Sequence, residues 1–399
     1  MFQKVFFLMK SLPAQLVMCI IAAFTLSHAI SPLSVRFFYS VSLLFVEGLL
    51  FILPFMVFSF ILRALIGLNK RSTWLVGLIF MGVTLSNITA VLVSFGYSIG
   101  ILKAFNVQHC PGFEETFTSS ITPLWTLKLP ALIPTDKAMM MGLILGFIVI
   151  FAPQSMEKHR IKLNNYVMKI TDGITLFLSK AFIPLLPLYI FGFCLKLSYD
   201  NALSHLFKHY GHVFFASVFL VIVYLFLVYF LGAGRSLKKT FLAIRTMLPA
   251  GITGFSTMSS AATMPMTLKA TETNTKDRNF TDLVIPSTTN IHMLGDDLTI
   301  TVTAVTLLVI CGQTIPDVMT ILSYALAFSI AKLSCVGIPG ASVLVILPVL
   351  QQFLNFKPEM ISMLTTIYIL QDSFGTAANV MGNGAFAMII QRIYKKLKA

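Results

Sequence analysis

This chain has little charge, and very little of it is acidic. Of its 399 residues, 11% are Asp, Glu, Lys or Arg, with 15 acidic against 29 basic side chains; soluble domains carry about 25%. So few charges cannot cover a water-facing surface, and a hydrophobic fraction of 57% with a mean hydropathy of +0.86 puts the chain among polytopic membrane proteins. The net charge of +14 would suit nucleic acid, but the basic residues are not gathered on one soluble domain and no recognition motif accompanies them, so no nucleic-acid partner is expected. Cysteine is also sparse. Cys19, Cys110, Cys194, Cys311 and Cys335 are scattered, odd in number and without a Cys-x-x-Cys pair, which excludes a disulfide framework and a zinc or other transition-metal site. No phosphate-binding loop occurs, which argues against an ATP-driven pump.

What is present is a series of long apolar runs. A helical span needs about 20 apolar residues, and eight stretches qualify, near 12–33, 40–66, 73–100, 138–153, 165–195, 211–233, 280–310 and 359–390. Lys4 and Lys10 before the first run imitate a secretory signal, but its length and the spans behind it make it the first membrane helix. Two further apolar segments, 240–268 and 318–354, are interrupted. Pro249-Ala250-Gly251 and Ser259 to Pro265 divide the first; Ser334 to Pro339 divides the second. Each has the length of a re-entrant hairpin, the alternative being one kinked helix. With both termini inside, the first hairpin opening inward and the second outward, 20 of the 29 basic residues fall on the cytoplasmic side, as the positive-inside rule requires. That predicts an inner (plasma) membrane protein with cytoplasmic termini in contact with the lipid bilayer. The polar stretch 101–137 reads as an outer loop.

Polarity in the last 150 or so residues lies where lipid rejects it: Ser259-Ser260, Thr288-Thr289-Asn290-Ile291-His292, Gly337 to Gly340, and Asp372 to Asn379. Irregular backbone at membrane depth survives only where protein buries it or water wets it, and broken helices are how secondary transporters build substrate sites. Asp372 is an isolated carboxylate in a spanning helix, at a cost of at least about 2.5–3.5 kcal/mol on insertion scales, and so requires a partner. Thr376 and Asn379 follow at four and seven residues and share its helical face. Taken singly, either could instead make an interhelical hydrogen bond. Ser259 and Ser260 present hydroxyls and free N–H groups at a half-helix end, which attracts a carboxylate. Gly340 lacks a side chain and lets the second tip approach a ligand.

The order of these tracts is a Ser-Ser-x-x-Thr-x-Pro tip, a broken seventh helix, a Gly-x-Pro-Gly-Ala tip, and an eighth helix with Asp-x-x-x-Thr-x-x-Asn-Val-x-Gly. It resembles the dicarboxylate/amino acid:cation symporters, the glutamate transporter family, over the whole chain in topology and over about 250–385 in motif. The resemblance implies an all-α polytopic fold of eight transmembrane helices plus two re-entrant helical hairpins, working as an elevator in a homotrimer. Residues 1–233 would be mainly scaffold, with the third and sixth helices moving with a transport domain at 234–399. It implies an amino-acid substrate held by Ser259, Ser260, Met293, Asp296, Ile338, Gly340, Ser342, Asp372, Gly375, Thr376 and Asn379, with Asp372 taking the amino group. Cation-site candidates are Thr84, Thr288, Asn290, His292, Asn379 and Asn383. No organic cofactor is implied, only Na+ or H+ as coupling ion.

The departures from the family pattern narrow this. Where acidic-substrate members carry an Arg three residues after the Asp, this chain has Gly375, and Met258 stands where some members carry another Arg. No bidentate clamp for a side-chain carboxylate remains, so a neutral amino acid is expected, or a cationic one if Asp296, in place of a substrate-contacting Thr, stays charged. The family's Asn-Met-Asp-Gly-Thr becomes His292-Met293-Leu294-Gly295-Asp296. Leu294 offers no oxygen to a hard cation, and Asn383 replaces a sodium-binding Asp. Lys332 falls near another sodium site, where its ammonium could substitute for the ion or else snorkel to the interface. His292, Asp296 and Asp297 are proton-coupling candidates; the two Asp could equally be structural partners of Lys332 or His292. Sodium coupling is thus expected to be reduced or replaced by protons. The alternatives are a conventional sodium-coupled dicarboxylate or glutamate symporter, and a channel-like or uncoupled facilitator. Ser259 with His292 could form a dyad, but ligand binding accounts for the Ser-rich tip and no enzyme activity is expected.

Overall fold

The structure, a computed structural model, describes residues 12–27, 29–66, 73–107, 121–127, 129, 133–151, 157–177, 180–181, 183–200, 202–335 and 340–398. Lys4, Lys10, Cys110, Gly337, Ile338, Pro339 and, in the expected 101–137 loop, residues 108–120, 128 and 130–132 lie outside them. Among the described residues fourteen helices follow one another: α1 (Leu12–Leu26), α2 (Pro32–Ile66), α3 (Thr73–Ala104), α4 (Thr135–Phe151), α5 (Glu157–Phe177), α6 (Ile183–Tyr199), α7 (Ala202–Gly232), α8 (Leu237–Thr257), α9 (Ser260–Thr275), α10 (Arg278–Thr288), α11 (Leu294–Ile310), α12 (Val318–Lys332), α13 (Ala341–Leu354) and α14 (Pro358–Lys398). Within α3 and α7, Gly77–Ala104 and Tyr210–Gly232 are long and apolar enough to cross a membrane.

Several boundaries differ from those read in the sequence. The run 165–195 is not one helix. Its first part belongs to α5, whose Lys158, Arg160, Lys162, Asn164 and Lys169 make it amphipathic, and the chain restarts at α6 with Pro184 in the first turn, where a missing N–H costs nothing. The run 12–33 stops at Leu26, and α2 begins at Pro32 rather than at 40. Pro249 and Pro265 do not break the first hairpin: each lies inside a continuous helix, since losing one hydrogen bond kinks a helix without ending it. The break is confined to Met258–Ser259. Met258 takes a left-handed φ of 52° and returns its N–H to Gly254 O, and Ser259 caps α9 by accepting from Ala262 N. The last helix runs on to Lys398.

Helix packing sorts the chain into two groups. α1, α2, α4, α5 and α6 pack chiefly on one another. α11 and α14 sit at the centre of the second group. α14 packs on α7, α8, α9, α10 and α11, and α11 also packs on α3, α7 and α13. Every described residue of α11 but one is buried, including Thr299, Thr301, Thr303 and Thr306. Three of these hydroxyls bond carbonyls a turn back in the same helix, at 2.7–2.9 Å, which lets polar side chains enter an apolar interior. At the start of α12, Asp317 caps the helix by accepting from Thr320 N at 2.7 Å, and these Thr320 hydrogen bonds hold its carboxyl below the usual range.

Candidate functional site

Asp372 stands mid-way along α14, buried, and every donor around it points inward. Oδ2 accepts from Gly340 N at 2.8 Å; Oδ1 accepts from Thr376 Oγ1 at 3.0 Å and Tyr368 OH at 3.2 Å. Tyr368 and Thr376 lie one turn either side of Asp372, so the helix supplies two donors and the hairpin tip the third. Gly340 reaches the carboxylate with φ at 75°, a conformation that disfavours any side chain. Three donors satisfy an ionised carboxylate at a depth where an unpaired one is costly.

The start of α11 lies against the same stretch of α14. Asn379 Oδ1 accepts from Gly295 N at 2.8 Å and Asp296 N at 3.2 Å, so this side chain satisfies N–H groups that the helix end leaves open. The approach is close: a Cβ on Gly295 would strike Gly375 O and come within 2.6 Å of Ala378 Cβ. A Cβ on Gly375 would lie 2.6 Å from Asp296 Oδ1. Asp296 therefore occupies the volume that a side chain at 375 would need. The two departures form one exchange, a carboxylate on α11 for a side chain on α14, and Asp296 Oδ1 has no hydrogen-bond partner.

Lys332, at the end of α12, is fully buried. It does not snorkel. Its Nζ lies 3.6 Å from Asp296 Oδ2 and 3.7 Å from Asp297 Oδ1, donates to Ser342 Oγ across the hairpin, and sits 5.4 Å from the Phe328 ring centre. Ser342 Oγ in turn lies 3.3 Å from Met293 Sδ. Met293, Asp296, Asp297, Lys332 and Ser342 thus converge at the foot of the second hairpin.

His292 occupies a separate node in the unwound segment between α10 and α11. Its Nδ1 faces Asn383 Oδ1 at 3.1 Å and its Nε2 faces Ser86 Oγ at 2.9 Å, with Phe386 against the ring at 4.5 Å between centres. Asn383 accepts, so Nδ1 carries hydrogen. Of the two partners the sequence left open for Asp296 and Asp297, His292 is therefore not one. Leu294 is buried against α14, 3.3 Å from where a Cβ on Gly382 would be. Thr84 and Thr288 bond carbonyls of their own helices; Thr84 O accepts from Ser329 Oγ at 3.1 Å. Asn290 is half-buried. In the first hairpin Ser260 is buried at the start of α9, which packs on α14, and Ser259 is spent on its cap. Among the described residues no group of three or more His, Cys, Asp and Glu is arranged to hold a metal ion.

Four contributors went unread in the sequence. Tyr368 is signalled by its i−4 spacing from Asp372. Ser86 and Asn87, which donates to Ile291 O at 2.9 Å, form a polar dipeptide inside an otherwise apolar span. Gln371 joins Tyr210 OH (2.7 Å) and Thr303 Oγ1 (3.3 Å) in a closed hydrogen-bonded ring across α14, α7 and α11, which Tyr210 and Thr303 complete at 2.8 Å. Such a ring depends on three helices meeting, and no local pattern announces it.

The sodium:dicarboxylate symporter family model matches residues 12–393. The chain is 27% identical over 158 residues to the serine/threonine transporter SstT of Acinetobacter baylyi, covering 39% of each protein. It is 30% identical over 174 residues to excitatory amino acid transporter 2 of Mus musculus, covering 43% of this chain and 30% of that one. To excitatory amino acid transporter 3 of the same organism it is 28% identical over 160 residues, 40% of this chain and 30% of the other. The aligned part spans less than half the length of each relative.

Proposed function

The chain belongs to the sodium:dicarboxylate symporter family, and from that premise we propose that it is a secondary transporter of a neutral amino acid, with sodium coupling reduced or replaced by protons. The observation that carries this reading is Asp372. A buried carboxylate whose third donor is the hairpin tip Gly340 is a site that a substrate ammonium can take over, exchanging one backbone N–H for a charge-assisted partner. Thr376 and the remaining tip complete the pocket in this reading, with Ser259 and Ser260 on the side of the substrate carboxylate. The absence of any cation at 375, where Asp296 fills the space, disfavours a second carboxylate on the substrate. A relative named for serine and threonine supports a neutral substrate.

The ion side of the proposal rests on Leu294 and Lys332. Sodium needs oxygen ligands; an apolar side chain at 294 and a buried ammonium at 332 fit no such ion at those two places. His292, Asp296 and Asp297 remain as groups that can bind a proton. The same reading proposes a homotrimer in the inner membrane with cytoplasmic termini. It also proposes an elevator in which 234–399, with α3 and α7, moves against the remaining helices; the packing of α3 and α7 on α11 supports that division. A second reading, a cationic amino acid, draws on one observation, the unpartnered Asp296 Oδ1 facing α14.

The test is uptake of a labelled amino-acid panel into proteoliposomes, with sodium and proton gradients imposed separately. Neutral amino-acid uptake that persists without sodium is expected. Uptake restricted to glutamate and aspartate, or strictly dependent on several sodium ions, overturns the proposal.

A further inference from the structure

We propose that Asp297 is the proton-binding carboxyl of this chain, holding its proton on the Thr301 and Tyr324 side of α11 while the second hairpin is closed. This deepens the transport reading by choosing among its three titratable candidates, and it stands on the distribution of hydrogen-bond partners.

Among the described residues, the core around α11 and α14 contains three buried carboxyls, Asp296, Asp297 and Asp372, and one buried ammonium, Lys332. Asp372 has three donors to compensate its charge. Asp296 and Asp297 share Lys332, at 3.6 and 3.7 Å, so one negative charge is left over. The two differ in what else surrounds them. Asp296 points one oxygen toward Gly375 and the candidate substrate space. Both oxygens of Asp297 are buried with no hydrogen bond closed to them, Lys332 Nζ standing 3.7 Å from Oδ1, and so weakly compensated a carboxylate is costly in a membrane interior.

Asp297 is not surrounded by apolar groups alone. Thr301, one turn along α11, and Tyr324 of α12 are fully buried, and neither hydroxyl has a hydrogen-bond partner. The Tyr324 hydroxyl lies beside Thr301 and within electrostatic reach of Asp297. Four oxygens without a closed hydrogen bond are thus gathered on this side of α11: the two of Asp297, Thr301 Oγ1 one turn along the same helical face, and Tyr324 OH beside Thr301. A carboxyl O–H has acceptors there, and the two hydroxyls become donors when the proton leaves. A metal cation in the same space would be pressed against the Lys332 ammonium, whereas a proton on Asp297 removes the surplus charge and leaves Lys332 to Asp296.

The other titratable groups around α11 are otherwise engaged. On α7, Tyr210 is in the ring with Thr303 and Gln371, and Tyr229 donates to Met381 O; Tyr224 is within electrostatic reach of Asp297. On α3, Tyr97 donates to Ala216 O and Lys103 is exposed. On α14, Tyr368 donates to Asp372. His292 is bonded through both nitrogens to Ser86 and Asn383. Cys335 lies beyond Lys332, 3.9 Å from Ser342 Oγ, and α13 carries no titratable side chain.

Infrared spectroscopy of the full chain in lipid vesicles reads the proton directly, without any substrate. At neutral pH the wild type is expected to show the C=O stretch of a buried protonated carboxyl. Asp297→Asn should remove it, and Asp296→Asn and Asp372→Asn should keep it. Thr301→Val and Tyr324→Phe, which leave all charges in place, should shift its frequency. A band that survives Asp297→Asn, a band lost in Asp296→Asn instead, no band in the wild type, or no shift in either hydroxyl variant would each overturn the assignment. In proteoliposomes an inward proton gradient should stimulate uptake by the wild type, and Asp297→Asn should lose that response. If no amino acid is taken up while the band still maps to Asp297, the transport reading fails and the proton site stands.

Discussion

The two hairpin tips differ in what closes them. The α8–α9 tip is closed by its own residues. Met258 turns the chain and bonds Gly254, Ser259 caps α9, and Thr263 bonds back to Ser259. The described residues of the α12–α13 tip are tied to other elements. Gly340 N is held by Asp372 of α14, and Lys332 reaches Ser342, Asp296 and Asp297. A locally capped turn keeps its shape whatever its neighbours do. A turn whose polar groups are satisfied by charges on two other helices must change when those charges acquire a new partner. Only the second tip can therefore respond to an ammonium arriving at Asp372 or a proton arriving beside Lys332.

The largest effect should come from removing the charge that ties the second tip down. Lys332→Met leaves a buried carboxylate without a counter-charge and should destabilise the protein by about 3–5 kcal/mol, measured by thermal unfolding in detergent. Adding Asp296→Asn should recover most of that loss. If Lys332→Met alone is neutral, the second tip is not held by this cluster and the contrast between the hairpins fails. Next in size is Asp372→Asn. Losing a hydrogen-bonded charge partner of about 1.5–3 kcal/mol predicts uptake weakened roughly 10- to 150-fold at sub-saturating substrate. Uptake that survives intact would show that the Gly340–Asp372 contact is structural and that no ammonium replaces it.

Smaller, and specific to this chain, is the contact at Gly375. A methyl there would lie 2.6 Å from Asp296 Oδ1, so Gly375→Ala should cost about 1–3 kcal/mol by overpacking. Combining it with Asp296→Ala should bring back part of that cost as a coupling of about 0.5–3 kcal/mol. Additive costs would mean that the two positions did not exchange volume, and the argument against a carboxylate-bearing substrate would lose its structural half.

How far the sequence reaches is itself uneven, for a physical reason. Features set by local pattern were legible. Apolar runs gave the main helices, the Gly- and Ser-rich interruptions fall at the helix breaks between α8 and α9 and between α12 and α13, and the i, i+4 spacing from Asp372 to Thr376 survives as a hydrogen bond. Pro249 and Pro265 misled because a proline's effect depends on whether neighbours tolerate a kink. Pairing in space was not legible. His292 and Asp296 are four apart but separated by the break before α11, so the helical spacing argument does not apply, and His292 turns to Ser86 and Asn383. Lys332 and Asp297 are 35 positions apart in sequence, and only the hairpin's return brings them to 3.7 Å.

The smallest expected effect sharpens the comparison from the first tip's side. Ser259 has two roles on offer: the cap seen at Ala262 N, 3.2 Å away, and a hydroxyl for the substrate carboxylate. Two substitutions separate them, because Gly is a tolerable N-cap and Ala is not. If Ser259 only caps, Ser259→Ala should cost about 1 kcal/mol of stability and Ser259→Gly a few tenths, with uptake following stability in both. If the hydroxyl also meets substrate, both variants lose it equally, and both should raise the uptake KM by a similar factor despite their different stabilities. Paired thermal unfolding and uptake on the two variants decides this. A KM that tracks stability would leave the first tip a purely local turn, and recognition would then rest on the second tip and α14.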